Sequence, residues 1–192
     1  MHIRRGHMCH HVAFAFLLTC LSLVLAPAFS IAATLEKLSV EAMSLQSTAI
    51  VRGRVSGCVG EGQGSLILTR CRVRVAELWK GERAAEISFV VPGGSFRGLV
   101  QNFTGAPKLI SESEYVLFLW TGKSGRTHVI GLSQGVFNVV NDNSGGPAKV
   151  RRAASSEQML DSSGQPVADA SIQMGLAELR SQVQQALGRA AR

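Results

Sequence analysis

The stretch LILTRCRVRVAEL, residues 66–78, decides the fold of this chain. Ile67, Thr69, Cys71, Val73 and Val75 alternate with Arg70, Arg72 and Arg74. That is the two-residue period of a strand with one face buried and the other in water. A strand this long predicts a bend or bulge, as when one strand serves both halves of a small barrel. Upstream, Ala49, Val51, Gly53 and Val55 alternate with Ile50, Arg52 and Arg54, which is a second half-buried strand. Between the two, residues 57–65 (GCVGEGQGS) read as a turn-rich connection.

Downstream, residues 86–91 form a third strand, stopped by Pro92-Gly93-Gly94. Residues 95–113 are irregular, with Phe96, Leu99, Phe103 and Leu109 as apolar side chains. EYVLFLW, residues 114–120, is the most apolar strand and predicts burial on both faces. Residues 126–130 and 136–140 read as strands around the turn GLSQG, and residues 141–147 turn onto a last strand at 148–153. In residues 34–47, Leu35, Leu38, Ala42 and Leu45 recur at helical spacing and predict a short N-terminal helix. Residues 154–168 are polar, contain Gly and Pro, and read as a linker. Residues 169–192 predict an amphipathic C-terminal helix with the stripe Ile172, Leu176, Leu179, Val183 and Leu187. Asp169 or Ser171 would cap its start and Gly188 its end. Short strands without βαβ alternation make the chain mainly β, with residues 34–153 as an antiparallel barrel or sandwich.

Residues 1–33 read as a secretory signal peptide. Arg4 and Arg5 precede the apolar run 12–25, and small residues follow at Ala26, Ala28, Ser30, Ala32 and Ala33. The run is too short for a membrane-spanning helix, so no span is expected after its removal. Lipidation at Cys20 is rejected because the apolar run continues through Leu25. The remaining domain, about 160 residues, is large enough for one hydrophobic core. It keeps 18 basic against 13 acidic residues, a net charge of +5. A basic exported domain, secreted or periplasmic, meets acidic polysaccharides or protein partners rather than nucleic acid.

Four of the five histidines and two of the four cysteines fall in residues 1–33. The remaining thiols, Cys58 and Cys71, predict a disulfide in an oxidising compartment. One histidine, His128, with an oxidised cysteine pair cannot build a zinc site, so no metal and no cofactor are expected. Asp142 between Asn141 and Asn143 lacks the further carboxylates of a calcium loop and reads as a turn. Glu112 and Glu114 read as a solvated edge rather than a glycosidase pair. Pro92-Gly93-Gly94 lacks the lysine of a phosphate-binding loop. Gly131-Leu132-Ser133-Gln134-Gly135 matches the G-x-S-x-G nucleophile elbow, which needs a strand–turn–helix context. Strand-like flanks place Ser133 in a hairpin instead, and His128 precedes it where a hydrolase histidine should follow.

Six pieces in order carry a resemblance. They are Val51-x-Gly53-Arg54-Val55, Val73-x-Val75-x-Glu77-Leu78-Trp79-Lys80-Gly81, Val91-Pro92-Gly93-Gly94, Gly105-Ala106-Pro107, residues 114–119 and residues 131–137. Together they resemble a group of uncharacterised exported bacterial proteins and, more distantly, the OB-fold barrel of the netrin and tissue-inhibitor-of-metalloproteinase type. The resemblance implies a small OB-like β-barrel, no cofactor and no assigned activity. Inhibitors of that type approach zinc through an N-terminal cysteine, and no cysteine stands near a cleavage point here.

Two binding candidates emerge. Arg52, Arg54, Arg70, Arg72 and Arg74 would share one sheet face if their strands are neighbours, a place for carboxylate, phosphate or sulfate groups. Phe96, Arg97, Leu99 and Phe103, on a loop after Pro92-Gly93-Gly94, have the anchor chemistry of a protein interface. The chain is therefore expected to be a non-enzymatic binding domain whose partner is another exported protein, a protease among the candidates. The alternatives are an acidic-glycan binder working through the arginine face and a serine hydrolase at Ser133.

Overall fold

The computed structural model of the protein describes residues 34–142, 145–155 and 157–192; the signal-peptide expectation for residues 1–33 lies outside them. In chain order the elements are β1 (Thr34–Glu36), α1 (Val40–Gln46), β2 (Ala49–Gln63), β3 (Leu66–Lys80), β4 (Glu86–Pro92), β5 (Gly94–Phe96) and β6 (Leu99–Gln101). They continue as β7 (Glu114–Thr121), β8 (Thr127–Val129), a 3₁₀ turn (Leu132–Gly135), β9 (Val136–Val140) and β10 (Lys149–Arg152). The last are β11 (Gln158–Leu160), β12 (Pro166–Val167), β13 (Ile172–Gly175) and α2 (Leu176–Ala190). The chain is mainly β with two helices, as expected from its period-two segments.

The main sheet runs β13-β10-β9-β7-β2-β3-β4-β8, and β8 also pairs with β7. That second pairing returns the sheet on itself, so β7, β2, β3, β4 and β8 form a ring. Its closure is the parallel pair β4–β8, at Val90 and His128. The other ring pairings are antiparallel. The expected irregularity in the long strands is present, with register shifts between β2 and β3 at Ile50/Val51, Arg52/Gly53 and Val55/Gly57. Each shift bends the hairpin, which lets two long strands curve around the ring.

Strand β7 divides two cores. Tyr115, Leu117 and Leu119 point into the ring with Val51, Val73 and Phe89. Val116 and Phe118 point the other way, to Phe137, Val139, Val150 and the helices. Successive side chains face opposite sides of a sheet, so a strand apolar throughout needs a core on each face. On the second side α1 contributes Met43, and α2 contributes Leu179 and Val183. Ser39 caps α1 by accepting the Ala42 amide at 3.0 Å. Lys80 Nζ reaches the far end of that helix, donating to the carbonyls of Ser44 and Leu45 at 2.9 Å each. A cation there satisfies carbonyls that the helix leaves unpaired.

Five stretches depart from the sequence expectation. Residues 34–36 are strand rather than helix, paired in parallel with β11. The stretch 57–65 is not a turn: β2 runs through Gln63, and the chain reverses around Gly64. Its glycines serve close approach, because a side chain on Gly60 would strike the Ser95 carbonyl, and one on Gly62 the Phe96 ring. The β5–β6 hairpin therefore lies against this arm, inside the segment expected to be irregular.

Residues 154–168 hold the hairpin β11–β12 rather than a free linker, anchored by the buried Met159. The segment expected to open the last helix is β13, on the edge of the main sheet, and α2 starts only after Gly175. Asp169 is no helix cap. It binds Arg152 through two hydrogen bonds of 2.8 Å and accepts the Ser155 amide at 2.8 Å. Nor does Gly188 end the helix, which runs to Ala190. Among the described residues, no helix is long and apolar enough to cross a membrane.

Candidate functional site

The expected disulfide is formed. Cys58 and Cys71 face each other directly across the β2–β3 pair, with Cα atoms 4.1 Å apart. The bridge ties β2 to β3 within this arm, near where β5 and β6 pack against it. It also lines a cleft of about 210 Å³, shared with Thr69, Pro92, Phe103 and Leu109.

The arginines do share the outer side of β2 and β3, but among carboxylates. Arg52 binds Glu77 at 2.7 Å and Glu114 at 2.6 Å. Arg70 holds Glu61 through two hydrogen bonds of 2.9 Å, and Arg72 lies 3.8 Å from Glu86. Arg54 donates to the Glu112 carbonyl. Arg74, opposite Arg54 in register, has no ion pair among the described residues. Glu77 also accepts from Trp79 Nε1 at 3.0 Å and lies 3.2 Å from Arg180. Its carboxyl is held below the usual range, chiefly by the Trp79 hydrogen bond, against burial and with help from Arg52 and Arg180. The sequence shows these glutamates, but only the register reveals which arginine each one meets.

The segment after β4 divides into two kinds of residue. Phe96 is half-buried, packed toward Gly62, with the Arg97 guanidinium 5.1 Å from its ring centroid. Leu99 and Val100 are 67% and 68% exposed, and Phe103 is 41% exposed. Val100 and the exposed Ile110 were not singled out from the sequence; both sit in stretches without helical or strand periodicity there. Apolar groups this open, clustered on one short hairpin, are unusual unless something covers them.

Ser133 lies in neither an elbow nor a hairpin. Strands β8 and β9 do not pair with each other; both run antiparallel to β7, opposite its two halves. Residues 130–135 are an excursion from one continuous edge. It leaves where the Ile130 amide donates to Phe118 O at 3.0 Å and returns where the Gly135 amide donates to Ile130 O at 3.0 Å. Gly131 and Leu132 both have left-handed backbone, with φ of 59° and 57°, which turns the chain out of the sheet. The turn then closes as 3₁₀ and returns to strand, so no α-helix follows the serine.

Gln134 is the structural residue of this motif. Wholly buried, it accepts the Leu38 amide at 2.8 Å and donates to the Glu36 carbonyl at 2.9 Å. It thereby fixes the β1–α1 corner against the ring. Beside it, Leu38, Trp120, His128 and Ile130 line an open cleft of about 690 Å³. Burial, with the Arg126 charge adding to it, pushes the His128 imidazole below its ordinary value. Ser133 lines a different cleft. At Asp142 the Gly145 amide closes a turn at 3.1 Å, and Asn143 lies outside the described residues.

Compared with known protein families, characterised proteins and solved structures, the chain matches none.

Proposed function

We propose that this is an exported, non-enzymatic, OB-like barrel that binds another exported protein through the exposed apolar residues of its β5–β6 hairpin and of the segment that follows. The exposure of Leu99 and Val100 on one small hairpin, and of Phe103 just beyond it, carries this reading. Two further observations support it. The ring order β2-β3-β4-β8-β7, five strands with one parallel closing pair, supports the OB-like reading. The disulfide suits an oxidising compartment. Acidic-glycan binding through the arginine face has less support, because most of its guanidinium groups already hold a carboxylate or carbonyl.

Photo-crosslinking residues placed at Leu99, Val100 and Arg74 of the exported protein test the proposal. The expected result is one discrete protein partner from positions 99 and 100 and none from 74. A Leu99→Ser/Val100→Ser variant should melt like the parent and lose that partner. A folded variant that keeps the partner overturns the assignment. Adducts confined to position 74 and abolished by high salt would move the site to the arginine face.

A further inference from the structure

We propose that the cleft between residues 107–110 and the β9–β10 face binds a free carboxylate carried next to one apolar side chain, as at the C-terminus of a peptide. The sheet register builds this site. Tyr115 pairs with Asn138, and Asn138 with Arg151, so the three side chains form one row across β7, β9 and β10. With strands about 4.8 Å apart, that row is about 10 Å long. The Tyr115 hydroxyl oxygen accepts the Ile110 amide at 3.0 Å, which holds the 107–110 segment beside the row. Ser133, Lys108 and the Asp169-paired Arg152 complete the polar lining of a space of about 320 Å³.

What distinguishes this cleft is the state of its charges. Lys108 and Arg151 are exposed and make no ion pair among the described residues, and no carboxylate lines the cleft. On the same strand Arg152 is buried and neutralised by Asp169. Two unpaired cations with amide and hydroxyl donors beside them match an anion that accepts several charge-assisted hydrogen bonds. Tyr115 can add its own proton, because the Ile110 amide occupies only its oxygen. The apolar wall of the cleft is Pro107, Ile110, Val136, Ala153 and Ala154, interleaved along the chain with its polar residues. A phosphate or sulfate would gain nothing from that wall, whereas an aliphatic side chain would be buried by it. The volume, at the low end for ligand sites, suits a single residue. Carboxylate capture at a chain end is a known mode of peptide recognition. This site stands apart from the hairpin surface and does not depend on it.

Fluorescence anisotropy with a labelled peptide ending in leucine as the free acid tests the proposal, with the same peptide as its C-terminal amide for comparison. The acid should bind, and the amide should bind at least about tenfold more weakly. Lys108→Gln and Arg151→Gln should each weaken the acid by about tenfold, while Arg74→Gln and the Leu99→Ser/Val100→Ser pair leave it unchanged. A peptide ending in aspartate should lose affinity through the apolar wall. N-acetyl-leucine identifies the source: competition at equal concentration means a small free acid, and competition by the peptide alone means a chain end. Equal binding of acid and amide, no binding of either at millimolar concentration, or an unchanged affinity in folded Lys108→Gln and Arg151→Gln proteins overturns it.

Discussion

The outer side of β2–β3 and the cleft beside β9–β10 are both rich in cations, yet only one of them has spent its charge internally. On the first, glutamates from β2, β3, β4 and β7 reach Arg52, Arg70 and Arg72. At the second, Lys108 and Arg151 have no such partners among the described residues. The count of basic residues in a sequence is thus a poor guide to where an anion will bind. What matters is which cations the fold leaves without a carboxylate.

The sharpest way to break this contrast is on β10, where neighbouring arginines belong to opposite classes. Arg152→Ala strands Asp169 in the interior without its partner and should cost about 3–5 kcal/mol, read from denaturant unfolding. Replacing Cys58 and Cys71 with serine should cost about 3 kcal/mol by releasing the β2–β3 arm in the unfolded chain. Arg52→Ala leaves two half-buried carboxylates without their shared donor and should cost about 1–3 kcal/mol. Arg151→Gln, in contrast, should change stability by less than about 0.5 kcal/mol while weakening carboxylate binding about tenfold.

Acid separates the two regions in another way. Burial alone would raise the Asp169 carboxyl, but hydrogen bonds from Arg152 and the Ser155 amide outweigh it and hold the pKa at about 2. A depressed folded value means that this pair stabilises fully above the ordinary carboxyl range, near pH 4, and is lost as pH falls toward about 2. On the outer side of β2 and β3, Glu77 is likewise held low and keeps its pair with Arg52 as pH falls. Capture of a peptide carboxylate at the cleft should fall over the same range as the ligand protonates, and peptide anisotropy followed from pH 7 to pH 3 checks it.

Strand β7 was legible because an unbroken apolar run admits few other placements, and the β2–β3 alternation was legible from its period. The disulfide followed from the scarcity of thiols. Gly60 and Gly62 misled, since glycine marks both a turn and a surface that another strand must approach closely. The hairpin β11–β12 was hidden because its anchoring apolar residue, Met159, sits in a polar stretch and pairs with β1 from the opposite end of the domain. The cleft was out of reach for a similar reason. Lys108 and Arg151 meet only through the sheet order β7-β9-β10, which no local pattern encodes. In GLSQG the serine drew attention by motif, while the burial of Gln134 depends on a distant corner of the chain.

The position of β7, flanked by strands on both edges and by apolar groups on both faces, has a consequence for how the domain opens. Amide protons of Val116, Leu117 and Phe118 have no local route to solvent, so their exchange should report the unfolding of the whole domain. Those at the β11–β12 turn, closed by Gly164 and Asp161 at the surface, should exchange orders of magnitude faster. A hydrogen-exchange profile would then grade the molecule outward from β7, with the slowest protons marking the strand on which both halves of the interior depend.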